Sequence, residues 1–487
     1  MNPIALLVFV ISGVALLTVP RKWAPIALLA GSIYMTLGQG IEIASIHLPV
    51  YRLMLIVGLL RILIKGESLP GGLNLIDKIL IGWGCWALFA SLFHDQDRAG
   101  FISACGTVCN LTLIYFMIRI WCTDLDEVRD NIIFIAFLLV PIALEMVMEK
   151  LTGKNLFSIL GGVPENVMVR EGKLRAQGPF LHAILAGTVG ASCVPLFIGL
   201  LSRYRTAAIV GIVAGVVMTF TSSSSGPVMT LLFGLGALML WRYRAHLHKL
   251  RIVAVITYLV LMVTMKQPPY FLIARIDISG GSTGWHRSFL IQQTFNHLSE
   301  WWLFGTDVTR HWMPMQGIAS DPLHTDITNY YIGFGVAAGL PAMLAIIAIL
   351  LTAFSWVGKI LNSWGDINQE RNFMIYCFGA SLFSHAATSI SVAYFDQSML
   401  FFWLTIAVIS SVYSITRTSS EEAPVPTSEH IPLDGFHSIT LAMQNAEWRR
   451  RLREQMEREG KRLTNGVDFF RPHPAKLSNH VNRAEIL

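Results

Sequence analysis

The chain consists of long apolar segments separated by mostly short polar connections. Thirteen such segments lie at residues 3–19, 23–38, 48–64, 76–93, 101–119, 131–148, 181–201, 206–222, 225–241, 250–266, 330–353, 372–391 and 397–415. Crossing the hydrocarbon core of a membrane takes roughly 20 apolar residues. Lipid offers backbone groups no hydrogen-bond partner, and the alternation typical of a β-barrel is absent. The pattern therefore predicts an all-α polytopic transmembrane helical bundle of about 12–13 spans.

The composition agrees with this interpretation and excludes several classes of protein. Of the 487 residues, 53% are hydrophobic and only 14% are charged, whereas a soluble domain has about 25% charged residues. The 37 Lys and Arg plus 31 Asp and Glu, 68 in all, are too few to cover a water-soluble protein of this length. A single soluble enzyme is excluded, and so is a disordered or fibrous chain. The six cysteines lie in or beside apolar segments without a CxxC or Cys/His cluster, so we expect packing roles and no metal site.

The distribution of basic residues predicts an orientation in the membrane. Arg21, Lys22, Arg61, Lys65, Arg203, Arg205, Arg242, Arg244, Lys249, Arg251, Lys359 and Arg371 fall in alternate connections. Since Lys and Arg in short loops are retained in the cytoplasm, these connections are predicted to be cytoplasmic. Two long connections, at about 149–180 and 267–329, then face the periplasm of a bacterial inner membrane, with 267–329 as the large periplasmic loop.

The chain changes character at about residue 416. Residues 1–415 form the predicted polytopic membrane domain, and residues 416–487 form a cytoplasmic tail that is partly disordered. Within the tail, residues 448–463 (WRRRLREQMEREGKRL) are typical of a basic helix. It is either a solvated helix with Glu/Arg pairs or a helix that rests on the anionic inner leaflet.

Polar and basic residues that the topology rule does not require are concentrated in the two long connections that are predicted to face the periplasm. Soluble-enzyme motifs such as a Walker A loop, HExxH or GxSxG are absent. Arg175 immediately precedes one span, and Arg287 lies early in the large loop. Long loops escape the topology rule, so these charges are either tolerated solvent-facing residues or functional ones. In a functional interpretation, the planar guanidinium groups bind phosphate at the membrane surface.

Three motifs resemble the bacterial O-antigen ligase and O-antigen polymerase family of integral-membrane glycosyltransferases. They are the Arg-Ala-x-Gly-x-Phe-x-His run from Arg175 to His182, the Trp-His-Arg sequence that opens the large loop, and the segment from His324 to Asn329 and Tyr330 that enters a Gly-rich span. The layout of many helices, one large loop and then three spans is also similar. The resemblance covers roughly residues 130–415.

The resemblance implies roles for particular residues. Arg175 and Arg287 would bind the lipid diphosphate, and His324 would activate the acceptor hydroxyl. The family's histidine usually directly precedes Asn, whereas four residues separate His324 from Asn329 here, so Asp326 is an alternative base. His182, His286 and Asn329 would make further substrate contacts. The resemblance implies no cofactor and no metal.

The function expected from this resemblance is periplasmic transfer of an undecaprenyl-diphosphate-linked oligosaccharide to a saccharide hydroxyl. Polymerisation of exopolysaccharide or O-antigen repeat units is favoured over ligation to lipid A-core, because Ser225-Gly226-Pro227 stands where family ligases often have an arginine. The expected partners are the lipid-linked donor, the saccharide acceptor, membrane lipids and other polysaccharide assembly and export proteins, but no nucleic acid. Two alternatives of other classes are a lipid-linked glycan transporter or flippase and a non-catalytic export subunit.

Overall fold

The protein is mostly helical. The computed structural model describes residues 1–43, 46–94, 98–276, 278, 283–313, 323–364 and 369–421. The α-helices in these ranges are α1 (Pro3–Thr18), α2 (Ala24–Ile33), α3 (Val50–Lys65), α4 (Leu75–Ala90), α5 (Arg98–Trp121), α6 (Leu125–Thr152), α7 (Ala183–Ile198), α8 (Arg205–Thr221), α9 (Ser225–Met239), α10 (Leu247–Thr264), α11 (Gly284–Asn296), α12 (Leu298–Trp301), α13 (Tyr330–Trp364), α14 (Gln369–Thr388) and α15 (Met399–Glu421).

Every apolar segment predicted from the sequence coincides with one of these helices. Six helical stretches are long and apolar enough to cross a membrane: Leu75–Phe93, Gly100–Trp121, Leu125–Thr152, Ser225–Arg244, Tyr330–Trp364 and Met399–Arg417. A seventh is formed if Ile252–Thr264 and Pro269–Arg275, which meet at 86°, are one broken span. The helices α1, α7 and α8 are apolar but shorter than a full crossing. The chain is therefore a multi-pass membrane protein. The number of about 12–13 spans stays a prediction.

Helix α7 lies at the centre of the bundle and carries a large buried surface. Fourteen of its residues are buried, and it packs against α8, α9 and α14. Small residues allow close approach, since a Cβ atom on Gly190 would lie 2.7 Å from the backbone oxygen of Gly215 on α8. The segment that enters α7 at His182 is thus attached to the most deeply packed helix, which favours a fixed geometry at that end.

Helix α13 is interrupted about one-quarter of the way along its length. Ala338 and Gly339 leave helical geometry, and Gly339 has a φ of 81°. A Cβ atom on Gly339 would lie 1.9 Å from the carbonyl oxygen of Leu303, so glycine is required at this close approach. The Leu340 amide donates to the Trp302 carbonyl oxygen at 2.8 Å, and the Thr306 amide donates to that of Val336 at 2.9 Å. The break therefore fastens residues 302–306, in the middle of the large loop, to α13.

Two short antiparallel hairpins lie outside the helices. Strands β1 (Gly40–Ile43) and β2 (Ile46–Pro49) form the first, and β3 (Met168–Arg170) and β4 (Lys173–Arg175) form the second. The second hairpin places Arg175 at its last position. The predicted basic helix at 448–463 and the rest of the tail beyond residue 421 lie outside the described residues.

Candidate functional site

The turn after Arg175 is held by a carboxylate of the neighbouring helix. Glu149, near the end of α6, accepts hydrogen bonds from the backbone amides of Gln177 at 3.0 Å and Gly178 at 2.5 Å. Gly178 needs its positive φ of 57° to make this turn. The Asn155 side-chain amide donates to the Gly178 carbonyl oxygen at 2.9 Å. Both faces of the turn are thereby hydrogen-bonded, which fixes where Arg175 leaves the backbone.

The end of the segment nearer α7 is held by the connection between α14 and α15. The Asp396 carboxylate accepts from the backbone amide of Leu181 at 2.9 Å, and the Gln397 side chain donates to the Pro179 carbonyl oxygen at 2.9 Å. Both side chains are fully buried. Residues from two distant parts of the sequence, 149–155 and 396–397, therefore position the segment from Arg175 to His182.

Arg175 is a buried cation without an acidic partner among the described residues. Only 2% of it is exposed. Its Nη2 atom donates to the Ser224 hydroxyl at 2.7 Å, Nη1 lies 3.7 Å from the Met168 sulfur, and the buried Nε has no partner. Burial, and then the neighbouring cations Arg170 and Arg287, lower the pKa of Arg175 to about 10. A group with that pKa is still charged at neutral pH, so the site holds an uncompensated positive charge.

Arg287 and Arg170 extend this positive charge. Arg287 lies on α11 and is partly buried, and its buried Nε also lacks a partner. Burial lowers the pKa of Arg287, Arg170 lowers it further, and Asp326 acts in the opposite direction. We call Arg170, Arg175 and Arg287 the arginine cluster. No described carboxylate lies within 4.0 Å of any of the three guanidinium groups. The two arginines predicted from the sequence are thus brought into one electrostatic neighbourhood.

His182 lies beside this cluster and is a neutral imidazole. Its Nδ1 atom accepts from the Ile184 backbone amide at 3.2 Å, so His182 caps the start of α7. Burial, followed by the charges of Arg175, Arg170 and Arg287, lowers its pKa to about 4. Since Nδ1 accepts, the proton is assigned to Nε2, which makes His182 a hydrogen-bond donor at neutral pH.

His286, Asp326 and Asn329 have identifiable neighbours. Burial lowers the pKa of His286, whereas the Asp326 charge and a hydrogen bond to the Asp326 backbone raise it. Asp326 is exposed and interacts electrostatically with Arg287. Asn329 is buried, and its side-chain oxygen caps α13 by accepting from the Ile332 amide at 3.0 Å. His286 and Asp326 therefore border the arginine cluster, while Asn329 has a capping role in this structure.

His324 faces a cavity of about 510 Å³ rather than the arginine cluster. The cavity lies among α3, α4, α5, α13 and the α14–α15 connection. Polar side chains in its wall include those of Tyr51, Arg52, His94, Asn110, Asp307 and His324. His94 and Asp307 pair at 2.7 Å, and the Arg52 Nε donates to the Tyr51 hydroxyl at 3.2 Å. The structure thus gives His324 and Asp326, only two residues apart, different surroundings.

Several residues of this region were not found from the sequence. Arg170 lies in a basic turn that resembles any solvated loop. Ser224 belongs to a serine-rich connection between α8 and α9 whose sequence is typical of a tight turn, yet its hydroxyl accepts a hydrogen bond from Arg175. Arg52 lies within an apolar span, where an arginine is a functional candidate by default, and that signal could have identified it.

Replacing Glu149 with glutamine is expected to destabilise the turn after Arg175. Glutamine has one acceptor oxygen, and its amide nitrogen would face a backbone N–H group. Leaving a buried donor unpaired costs about 1–3 kcal/mol, so we expect a lower thermal melting temperature in detergent. The matched control is Glu165→Gln, because Glu165 forms an exposed pair with Lys154, and exposed pairs contribute about 0–1 kcal/mol. Equal melting temperatures for both variants would contradict the positioning role of Glu149.

The arrangement is suited to binding and stabilising an anion. Three guanidinium groups without a described carboxylate partner and a neutral histidine donor provide positive charge and hydrogen-bond donors for an anion. Comparison of the chain with known protein families and with curated proteins gives no match. The chemistry of this region is therefore argued from its geometry.

Proposed function

We propose that the chain is a glycosyltransferase of the O-antigen ligase and polymerase type, located in a bacterial inner membrane. It transfers a glycan from undecaprenyl diphosphate to a saccharide hydroxyl on the periplasmic face. Polymerisation of repeat units is the favoured reaction. The orientation follows from the basic short connections, which place the N-terminus and both long connections outside and the tail in the cytoplasm.

The observation that carries this proposal is the arginine cluster. Burying a cation without a counterion is costly, so an uncompensated group of three favours a site whose anion arrives with the substrate. A diphosphate satisfies this requirement because its oxygens accept from several guanidinium forks at once. The buried Nε atoms of Arg175 and Arg287 supply donors that no described protein group uses.

The bonds and protons of the proposed reaction balance without a further reactant. The acceptor oxygen forms a bond to the anomeric carbon as the bond from that carbon to the diphosphate oxygen breaks. The diphosphate leaves with the bonding electron pair, and the arginine cluster stabilises its negative charge. The hydroxyl proton passes to a base. The two candidates for this base are His324, which lines a cavity of about 510 Å³, and Asp326, which interacts electrostatically with Arg287 of the arginine cluster.

The proposed function can be tested by the lipid-linked glycans of a strain that lacks the gene. Accumulated single repeat units are expected, since a polymerase consumes them on the periplasmic side. Long lipid-linked chains would instead identify a ligase. Complementation with the wild-type gene is the control for both results.

A transporter and an assembly subunit predict other outcomes. If the chain were a flippase, the strain that lacks the gene would retain lipid-linked repeat units on the cytoplasmic leaflet, where a membrane-impermeant label cannot reach them. A non-catalytic subunit would still support normal glycan in a triple variant with alanine at Arg175, Arg287 and His324. Either result would overturn the proposed transferase activity.

A further inference from the structure

Two histidines and one glutamate, none of them part of the arginine cluster, converge in the large loop. The His297 Nδ1 atom lies 2.8 Å from Glu300 Oε1, and the His311 Nε2 atom lies 2.9 Å from Glu300 Oε2. One ligand atom from each residue lies within 4.8 Å of the others. The three side chains are 28%, 35% and 46% exposed for His297, Glu300 and His311, so an ion has access from solvent.

The surrounding residues hold these three side chains in place. The indole Nε1 of Trp312 donates to Glu300 Oε2 at 2.9 Å. The His297 ring stacks on the Trp312 ring with centroids 5.7 Å apart and planes 8° apart. Trp312 and Trp301 are buried in a small apolar core with Leu290. Hydrogen bonds that orient ligating carboxylates and packing that fixes imidazoles are typical supports of metal sites.

We propose that His297, Glu300 and His311 bind a divalent transition-metal ion, with Zn²⁺ as the best match. Two imidazole nitrogens and one carboxylate oxygen are a common zinc ligand set, and water completes the coordination. With Zn–N and Zn–O bonds of about 2.0–2.2 Å, tetrahedral ligand atoms lie about 3.3–3.6 Å apart. The His297–Glu300 and His311–Glu300 separations of 2.8 and 2.9 Å are shorter than that range, and the three ligand atoms lie within 4.8 Å of one another, so an ion would enter after small side-chain rotations that move the ligand atoms apart. A hard ion such as Mg²⁺ is a poorer match, because it prefers oxygen ligands and retains its waters.

Bound metal would fasten the two ends of a loop segment together. His297 directly precedes α12, Glu300 lies within α12, and His311 lies in the 3₁₀ turn Arg310–Trp312. Between them runs the stretch that packs into the break of α13, including Leu303 and Gly305. We infer a structural ion that stabilises the loop rather than one that takes part in glycan transfer. This inference does not depend on the proposed function.

The site can be tested with the full-length protein in detergent after metal removal by chelation. In competition with a chromophoric chelator, the wild type should bind one more equivalent of Zn²⁺ than Glu300→Gln does. The affinity of this site for Zn²⁺ should be at least 10-fold lower in Glu300→Gln. Zn²⁺ should also raise the melting temperature of the wild type but not of Glu300→Gln. Glutamine keeps an acceptor for Trp312, so this variant retains the fold. Co²⁺ bound to the wild type should give the visible absorption bands that are typical of an ion with a low coordination number, and His311→Ala should lack these bands.

The matched control is His47→Ala, because His47 is exposed on β2 and remote in sequence from the cluster. This variant should retain wild-type stoichiometry, affinity and thermal shift. The chain has 14 histidines, some of which could bind zinc elsewhere, so the test rests on the difference in zinc binding between the variants and the wild type. Unchanged zinc stoichiometry and affinity in Glu300→Gln and His311→Ala would overturn the proposal, and would leave the cluster as a set of histidine–carboxylate hydrogen bonds.

Discussion

Replacing Arg287 with alanine is expected to abolish polymer formation while leaving the protein inserted and folded. The guanidinium has a buried Nε without a partner and lies in the repulsive field of Arg170. Its removal relieves like-charge repulsion, so the melting temperature should be unchanged or higher. Loss of one donor to a developing anion lowers the transfer rate by about 10²–10³-fold. Polymer would be measured on gels and the melting temperature in detergent.

A conservative variant and a neighbouring arginine distinguish substrate binding from general charge effects. Arg287→Lys keeps the charge but loses the planar fork, so intermediate polymer levels are expected. Arg275 lies in the same long connection and is exposed, and Arg275→Ala should leave polymer normal. Normal polymer in Arg287→Ala would refute the assignment of the arginine cluster. A large fall in its melting temperature would instead identify Arg287 as a structural residue.

The helices of this protein could be predicted from hydropathy because lipid and tight packing select the same residues. Even α2, with ten residues, falls within a predicted segment, which begins directly after Pro20, Arg21 and Lys22. The break in α13 could not be predicted. Gly339 was visible in the sequence, but the need for glycine arises from the Leu303 carbonyl oxygen, which another part of the chain brings there.

The arginine cluster was partly predictable, and the cavity was not. Arg175 and Arg287 stood out because outward basic residues oppose the topology rule. Arg170 and Glu149 did not, because a basic turn and a carboxylate near a helix end are common without function. The cavity takes its lining from residues between Tyr51 and Met399, and no local pattern records such a long-range assembly. The separation of His324 from Asp326 likewise follows from tertiary structure.

A second large effect is expected at a buried ion pair in the membrane domain. The Arg119 side chain makes hydrogen bonds of 2.8 to 3.1 Å with both oxygens of Asp77, and both residues are fully buried. The Tyr115 hydroxyl donates to Asp77 at 2.6 Å, and Arg119 also donates to the Gly72 carbonyl oxygen at 2.7 Å. Asp77 and Asn74 cap the start of α4 reciprocally. The pair thus joins α4 and α5, and each charge depends on the other for compensation.

Replacing Arg119 with leucine should lower the free energy of unfolding by about 3–5 kcal/mol, because it leaves the Asp77 carboxylate buried and uncompensated. The double variant Arg119→Leu with Asp77→Asn should recover part of that loss, since asparagine is neutral, its oxygen still accepts from the Asn74 amide, and its NH2 group can donate to the Tyr115 hydroxyl oxygen. Unfolding of the detergent-solubilised protein would measure both changes. Lys154→Gln, which breaks the exposed pair with Glu165, is the control and should change little. If the double variant were as unstable as Arg119→Leu, the cost would come from lost packing of the long arginine side chain and not from the unpaired charge.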